Sequence, residues 1–345
     1  MKHTISTLFL VILLISCNSQ NDKEATDAVS VRLGELTDVE IINDEMSFID
    51  GLYSFLPISE GRAIISDGKP GLFLLEDNVL TQQYGRSGSG PCEYNQISGT
   101  DLLEDTLYVL DNSQTKIISF DINSAECIGE FTSEGLNRFD YLHKLRNSDG
   151  FIAANGSYLG IMPDSTSLLR KIYEDGSYED LGLYLGRINT VRSVVRLRTP
   201  GLSFVKYDNG LYTYFPLNDS LRWYDLDTGK LTAFDLDIEI QRDEMEDATE
   251  AAKILDAINE GYTFVTRIIA TEDWVAVTTA QNQPGDLPQR KILKFYRHDG
   301  SFIDEVPYED NFVGQADGRL IQIIENTDPE SDMAYSIGYR DVIFE

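Results

Sequence analysis

Apolar residues between Gly51 and Glu345 alternate with polar ones or cluster in short runs, which Gly, Asp, Asn and Pro separate. Runs of about four to seven residues with these boundaries are typical of β-strands joined by tight turns. The chain also contains 26 Gly, 18 Tyr and 16 Phe, residue types that suit turns and strands better than helix bundles. The pattern therefore predicts an all-β protein.

One unit recurs along this region: an apolar or aromatic strand, a turn built on Asp, Asn or Gly, and a second strand. These turns fall near residues 77, 123, 175, 228 and 299. The spacing is about 50 residues, and four strands per repeat of about 40–50 residues are typical of a β-propeller. We therefore predict a six-bladed β-propeller, with five and seven blades as alternatives.

The longest interval between two of these turns, from about residue 228 to 299, contains a segment with a helical rather than a strand pattern. In residues 241–260, apolar side chains recur at helical spacing, and Gly261 follows where a helix C-cap is expected. The sequence predicts one short helical insertion here, and its removal restores the regular period.

The repeat ends one strand short at Glu345, because a sixth hairpin would fall beyond the last residue. The unused strand-like segment lies near the N-terminus, within Val29–Ile42. Propellers avoid free sheet edges by closing the ring. We therefore expect a strand in Val29–Ile42 to pair with a strand in Asn311–Phe344.

The N-terminus has the features of a bacterial lipoprotein signal. Lys2 is followed by an apolar run, Leu8–Ile15, which is too short to span a bilayer. Leu14-Ile15-Ser16-Cys17 resembles a lipobox, in which the cysteine is lipidated. We predict a signal peptide in residues 1–16, a lipid anchor on Cys17, a flexible tether in residues 17–28 and the propeller domain in residues 29–345. The expected location is the outer membrane, facing the periplasm or the cell exterior; the alternative is an ordinary secretory peptide.

The segment between the first two repeats carries a resemblance to a known family. It comprises Gly85–Tyr94, with the sequence Gly-Arg-Ser-Gly-Ser-Gly-Pro-Cys-Glu-Tyr, and is followed by Leu107–Asn112 and Lys116–Asp121. It resembles the six-bladed β-propeller lipoproteins of Bacteroidetes, whose first blade boundary reads Gly-Arg-x-Gly-x-Gly-Pro-Gly-Glu-Tyr/Phe. Cys92 stands where that family has glycine. The resemblance implies the fold and the lipid anchor, and it carries no catalytic residues.

The residues of this segment also favour a structural loop between blades. Glycines permit unusual backbone angles, and Arg86 and Glu93 could pair across the turn. The alternative is a ligand-contacting loop formed by Arg86, Glu93 and Tyr94. Cys92 and Cys127 lack a spacing motif, so we favour two independent cysteines, with a disulfide as the alternative.

The charge of the chain limits its partners. It has 58 acidic and 28 basic residues, a net charge of −30, so binding to nucleic acid is not expected. One segment, Gly186–Thr199, has arginines and no acid, and period-two spacing places Arg192, Arg196 and Arg198 on one strand face. We favour pairing of these arginines with neighbouring acids; the alternative is an anion-binding face.

The sequence offers little that could carry catalysis. The mature chain has two histidines: His143, interpreted as a structural histidine, and His298, interpreted as a solvated turn residue. We assign no catalytic, cofactor-binding or metal-binding residue, and we expect a monomer.

We predict a cell-envelope lipoprotein whose propeller is a non-catalytic module binding a small molecule, a glycan or a protein. One alternative is a propeller hydrolase or lyase acting on glycans or lactones with a channel-bound metal. Another is a scaffold within an outer-membrane complex.

Replacement of Cys17 by Ser tests the predicted anchor. The variant loses the thiol that would carry the lipid, so it should move from the membrane pellet to the soluble fraction of a cell lysate. Sedimentation of Cys17→Ser with membranes to the same extent as the unmodified chain would contradict the prediction.

Overall fold

A computed structural model describes residues 29–40, 52–59, 61–67, 71–77, 79–137, 139–146, 148, 150–155, 167–181, 203–214, 220–236, 263–281, 283, 289–309, 312–325 and 335–345. These residues form β-strands with a single 3-10 turn, Glu134–Leu136. In this part of the chain, no helix is long and apolar enough to cross a membrane. The helix predicted at 241–260, the signal peptide, Cys17 and the tether lie outside the described residues.

The first strands in the chain belong to the ring closure and the first blade. The closure strands are β1 (Val31–Leu33) and β2 (Thr37–Glu40). Blade 1 contains β3 (Leu52–Ser59), β4 (Arg62–Asp67), β5 (Gly71–Glu76) and β6 (Val79–Gln83). Two short parallel strands follow, β7 (Arg86–Ser87) and β8 (Glu93–Tyr94).

Blades 2 to 4 are antiparallel four-stranded sheets. Blade 2 contains β9 (Gly99–Leu103), β10 (Thr106–Asp111), β11 (Lys116–Asp121) and β12 (Cys127–Thr132). Blade 3 contains β13 (Tyr141–Lys144), β14 (Gly150–Ala154), β15 (Leu169–Tyr173) and β16 (Tyr178–Asp180). Blade 4 contains β17 (Ser203–Tyr207), β18 (Gly210–Tyr214), β19 (Ser220–Asp225) and β20 (Leu231–Asp235).

The remaining strands complete the ring. Blade 5 contains β21 (Thr263–Ala270), β22 (Val275–Gln281), β23 (Arg290–Tyr296) and β24 (Phe302–Pro307). Blade 6 contains β25 (Phe312–Ala316), β26 (Arg319–Glu325) and β27 (Tyr335–Arg340), with β2 as its outer strand, and β28 (Val342–Phe344) ends the chain. The described strands thus form a six-bladed β-propeller, as predicted.

The N-terminal segment closes the ring in two places. Strand β2 pairs antiparallel with β27 and supplies the missing outer strand of blade 6, with Thr37 opposite Tyr339. Strand β1 pairs with β28, with Val31 opposite Phe344. The predicted pairing between the two ends of the chain is confirmed, and the second ribbon was not foreseen.

Apolar side chains fill the space between consecutive blades. Six clusters of buried residues join the described blades in order around the ring, because strand side chains alternate between the two faces of each sheet. Members from facing blades are Leu74 with Val109, Ile117 with Phe151, Ile152 with Leu211, Tyr212 with Val277, Ala276 with Leu320, and Ile321 with Ile65. The core is therefore a ring of six interfaces around a central axis.

The recurring turns join the third and fourth strands of the blades. In four of them an aspartate carboxylate accepts hydrogen bonds from backbone N–H groups two or three residues later; the residues are Asp121, Asp175, Asp225 and Asp299. The pKa of each carboxyl lies below its usual value. The largest cause is a hydrogen bond from a Ser side chain at Asp175 and Asp299, and the backbone hydrogen bond at Asp121 and Asp225. The sequence period is thus a repeated local turn chemistry.

Deletion of Val29–Glu40 tests the closure. The variant lacks β1 and β2, so β27 and β28 each lose their paired neighbour and expose unsatisfied backbone groups. We expect aggregation, or a midpoint of urea unfolding well below that of the full propeller. Deletion of the residues before Val29 is the control. Equal unfolding midpoints for the two variants would contradict the closure.

Candidate functional site

The inner strands of all six blades surround one cavity on the propeller axis. Its volume is about 500 Å3, which falls in the range of about 300–1,000 Å3 found for small-molecule sites. It is lined by residues of β3, β9, β17, β21 and β25, and by Asp140 and Tyr141 at the start of β13. This central channel is the candidate functional site because every blade contributes to it.

One wall of the channel has charges that compensate each other. Asp101 on β9 accepts hydrogen bonds from His143 Nδ1 at 3.0 Å and from the Lys144 backbone N–H at 2.6 Å. The Nζ of Lys206 on β17 lies 3.5 Å from the other Asp101 oxygen. Because these residues belong to blades 2, 3 and 4, one carboxylate connects three blades near the axis.

Burial determines the protonation of His143. The side chain is almost fully buried, and desolvation lowers its pKa although Asp101 acts in the opposite direction. The neutral ring then donates its Nδ1–H to the carboxylate. His143 is a structural histidine, as predicted, and its role is to orient and satisfy Asp101.

The opposite wall has irregular strands. The inner strands of blades 5, 6 and 1 each contain a β-bulge, at Thr266, at Val313 and at two places in β3. The inner strands of blades 2, 3 and 4 pair without any shift in register. Bulges re-aim side chains and are enriched beside functional sites. The channel therefore has a regular, charge-compensated wall and a bulged wall.

Arg267 follows the bulge in β21 and lines the channel. Its Nη1 donates a 2.6 Å hydrogen bond to the carbonyl of Val313, the bulged residue of the next blade. The side chain reaches the solvent in the channel, yet protein surrounds it, and desolvation lowers its pKa. No carboxylate among the described residues lies within ion-pair distance of this guanidinium.

Aromatic side chains supply apolar surface in the same cavity. Phe55, Tyr141 and Phe204 line it, and the rings of Tyr141 and Phe204 lie 6.0 Å apart. Burial raises the pKa of Tyr141, and the nearby Asp101 acts in the same direction. The channel thus combines an apolar surface with a small number of charged groups, as ligand sites commonly do.

The glycine-rich segment forms the crossing from blade 1 to blade 2 and does not line the channel. Arg86 Nε donates a 2.6 Å hydrogen bond to Glu93, and the second oxygen of Glu93 accepts the Gly90 N–H. The Gly90 amide and the Arg86 side chain hold the pKa of Glu93 below its usual value. Tyr94 is fully buried. This network supports a structural loop; ligand contact by Arg86, Glu93 and Tyr94 stays a prediction.

Cys92 and Cys127 form a disulfide, with their Cα atoms 6.1 Å apart. Our preference for two independent cysteines was therefore wrong. Cys92 has a φ of 58°, in the left-handed region that favours glycine. This backbone angle explains why glycine suits the position in the family that the segment resembles. The disulfide ties the crossing loop to the outer strand β12 of blade 2.

His298 also differs from its sequence interpretation as a solvated turn residue. Its ring stacks on Tyr207 at a centroid distance of 4.0 Å, and its nitrogens hydrogen bond with Tyr212 and with the Thr271 carbonyl. It therefore packs at the junction between blades 4 and 5. The sequence interpretation rested on the Asp299-Gly300 turn that follows His298. Neither the repeat spacing nor the turn residues indicate which side chains meet between blades.

The other predicted sites lie outside the part of the chain that the structure describes. Arg192, Arg196 and Arg198, the residues of the predicted anion-binding face, lie outside the described residues, as does the lipid-anchor residue Cys17. Within the described part of the chain, no group of three His, Cys, Asp or Glu side chains could hold a metal ion.

The sequence interpretation missed the charged residues of the channel. Asp101, Lys206 and Arg267 occur in ordinary strand segments without a motif. A weak signal was available, because each is a charge near the start of a repeat, where the inner strand of a blade is expected.

The ring, its closure and its axial channel define the class: a six-bladed β-propeller. Residues 76–143, which extend from the end of blade 1 into blade 3, match the DUF5128 family model, described as a 6-bladed beta-propeller. The predicted resemblance to a six-bladed β-propeller family is thus confirmed. None of the curated proteins matches this chain in sequence.

Two solved structures from Bacteroides are similar to this chain. A Bacteroides fragilis protein named as an exported protein aligns with a TM-score of 0.66 at 12% identity, covering 92% of this chain and 96% of its own. A Bacteroides thetaiotaomicron protein of unknown function aligns with a TM-score of 0.50 at 10% identity, covering 91% and 77%. At these identities the similarity shows the fold.

Replacement of Asp101 by Ala tests the compensated wall. The change leaves the His143 Nδ1–H and the Lys144 N–H without an acceptor, so we expect a loss of about 3 kcal/mol in the free energy of unfolding. Asp180→Ala is the control, because Asp180 pairs with Arg170 at an exposed edge and should cost less than about 1 kcal/mol. Similar losses for both variants, measured by urea denaturation, would contradict the role of Asp101.

Proposed function

We propose that this protein is a cell-envelope lipoprotein whose propeller binds a small solute in its central channel without chemical turnover. In this proposal a monomer is held at the outer membrane by the lipid on Cys17, and the tether before Val29 separates the ring from the bilayer. The observation that carries the proposal is the cavity of about 500 Å3 that residues from all six blades line.

Two features of the channel favour binding over catalysis. The residues best suited to proton transfer, Asp101 and His143, are hydrogen bonded to each other. His143 is also almost fully buried, and its pKa is lowered away from the range useful for a general acid. General acid–base catalysis needs a group that can exchange protons with its substrate, whereas His143 is buried and is not among the residues that line the cavity.

Two observations support the envelope location. The disulfide between Cys92 and Cys127 fits an oxidising compartment outside the cytoplasm. The similar Bacteroides fragilis protein is named as an exported protein, in agreement with the signal sequence and the lipobox-like Cys17 of this chain.

A cavity-filling substitution tests the channel as the binding site. Gly314 lines the cavity, and a Cβ added there meets no atom within 4 Å. Gly314→Trp should therefore place an indole ring in the channel without a backbone clash. Gly129→Trp is the matched control, because Gly129 has equally open surroundings on the outer strand β12.

The measurement is binding of a solute panel by calorimetry or native mass spectrometry. The panel contains sugars, amino acids, short peptides, and small carboxylic acids with their amides. We expect at least one solute to bind the unmodified protein and Gly129→Trp equally, and Gly314→Trp at least tenfold more weakly. Binding that survives in Gly314→Trp would place the site elsewhere. The absence of any bound solute would remove the proposal, and turnover of a bound solute would favour the enzyme alternative.

A further inference from the structure

We propose that the bulged wall of the channel is a carboxylate-binding site in which the Arg267 guanidinium holds the anionic group of the ligand. The inference rests on the proposed binding function, and it names the chemical class of the solute: a monocarboxylate with an apolar or aromatic body.

The two cations of the channel differ in their partners. Lys206 lies near the carboxylate of Asp101, whereas Arg267 has no acidic partner among the described residues and donates only to the Val313 carbonyl. A guanidinium has five N–H donors in a planar fork that matches a carboxylate in two-point contact. Arg267 therefore keeps donors available for a ligand.

The local fold directs this side chain into the channel. Thr266, the bulged residue, forms a 2.6 Å hydroxyl–hydroxyl hydrogen bond with Thr278 on β22, and the Thr278 hydroxyl donates to the Arg267 carbonyl. These contacts hold the bulge and shift the register by one residue just before Arg267. Without the bulge, Arg267 and every later side chain of β21 would lie on the opposite face of the strand.

Electrostatics favours occupation by an anion. Although the Arg267 side chain is exposed to solvent in the channel, desolvation by the surrounding protein disfavours its charged form and lowers its pKa, so an anion in contact with the guanidinium would restore favourable charge compensation. The chain as a whole is strongly acidic, so an arginine with no acidic partner among the described residues stands out in the channel.

The other lining residues select among anions. Asp101 and Asp140 also line the cavity, and their charge disfavours a phosphate or sulfate dianion more than a monoanion. Phe55, Tyr141 and Phe204 offer apolar surface to the rest of the molecule. The combination fits a small organic acid such as an aryl or arylalkyl carboxylate.

The experiment compares carboxylates with their neutral amides. Acetate, benzoate, phenylacetate and indole-3-acetate, and the matching amides, are titrated into the full propeller by calorimetry at low salt, where charge contacts are least screened. The variants are Arg267→Gln, which removes the charge, and Arg267→Lys, which keeps the charge but loses the planar fork. Arg290→Gln is the matched control, because Arg290 is an exposed arginine at the start of β23 on the same blade.

We expect an aryl carboxylate to bind the unmodified protein and Arg290→Gln equally, and its amide at least tenfold more weakly. Arg267→Gln should lose at least tenfold in carboxylate affinity and little in amide affinity, with Arg267→Lys intermediate. Circular dichroism and thermal melting check that each variant is folded. If Arg267→Gln does not fold, the difference between carboxylate and amide affinity in Arg267→Lys decides the question.

Three results would overturn the carboxylate site: equal affinity for acid and amide, unchanged carboxylate affinity in the Arg267 variants, or no binding of any carboxylate. The cavity-filling variant separates these results from a failure of the binding function itself. If Gly314→Trp abolishes binding of a neutral solute while Arg267→Gln does not, the channel is the binding site and Arg267 is not its anion anchor.

Discussion

The pairing of β2 with β27 is the interaction on which the rest of the structure depends. Without this pairing, the outer edge of β27 would be left open and its backbone groups would lose their partners, which destabilises the last blade of the ring. Here the N-terminal segment supplies the outer strand of blade 6 and adds the β1–β28 ribbon beside it. Closure thus brings six inner strands, distant in sequence, around one cavity.

In the function that we propose, the two walls of the channel have different roles, one structural and one in ligand binding. On the regular wall, Asp101 is satisfied by groups from blades 3 and 4, which fixes those blades relative to each other. Such a compensated group has little capacity left for a ligand. On the bulged wall, departures from regular pairing direct Arg267 into the cavity without a carboxylate partner among the described residues. The irregular half of the ring therefore holds Arg267, the group that we propose as the anchor of a ligand.

Local chemistry made the fold predictable from the sequence. The aspartate turns are formed by residues adjacent in sequence, so the repeat is visible without any knowledge of packing. The same repeat, counted along the sequence, leaves the last blade one strand short, and this predicted that an N-terminal strand completes it. The stacking of His298 on Tyr207 and the Cys92–Cys127 disulfide depend on contacts between distant segments, and both were misjudged.

The channel residues lay beyond prediction for a related reason. A bulge inserts a single residue into a strand and moves the side chains that follow it to the other face. In the sequence, this change looks the same as ordinary variation in the alternation of apolar and polar residues. Thr266 has no sequence feature that marks it as the bulged residue; the hydroxyl of Thr278 on the neighbouring strand stabilises it there. Arg267 gains its position from that pairing. Four arginines lie close together in sequence within Gly186–Thr199, so that segment can be recognised without a structure. Arg267 is a single arginine, and its place in the channel depends on the residues that the other five blades contribute.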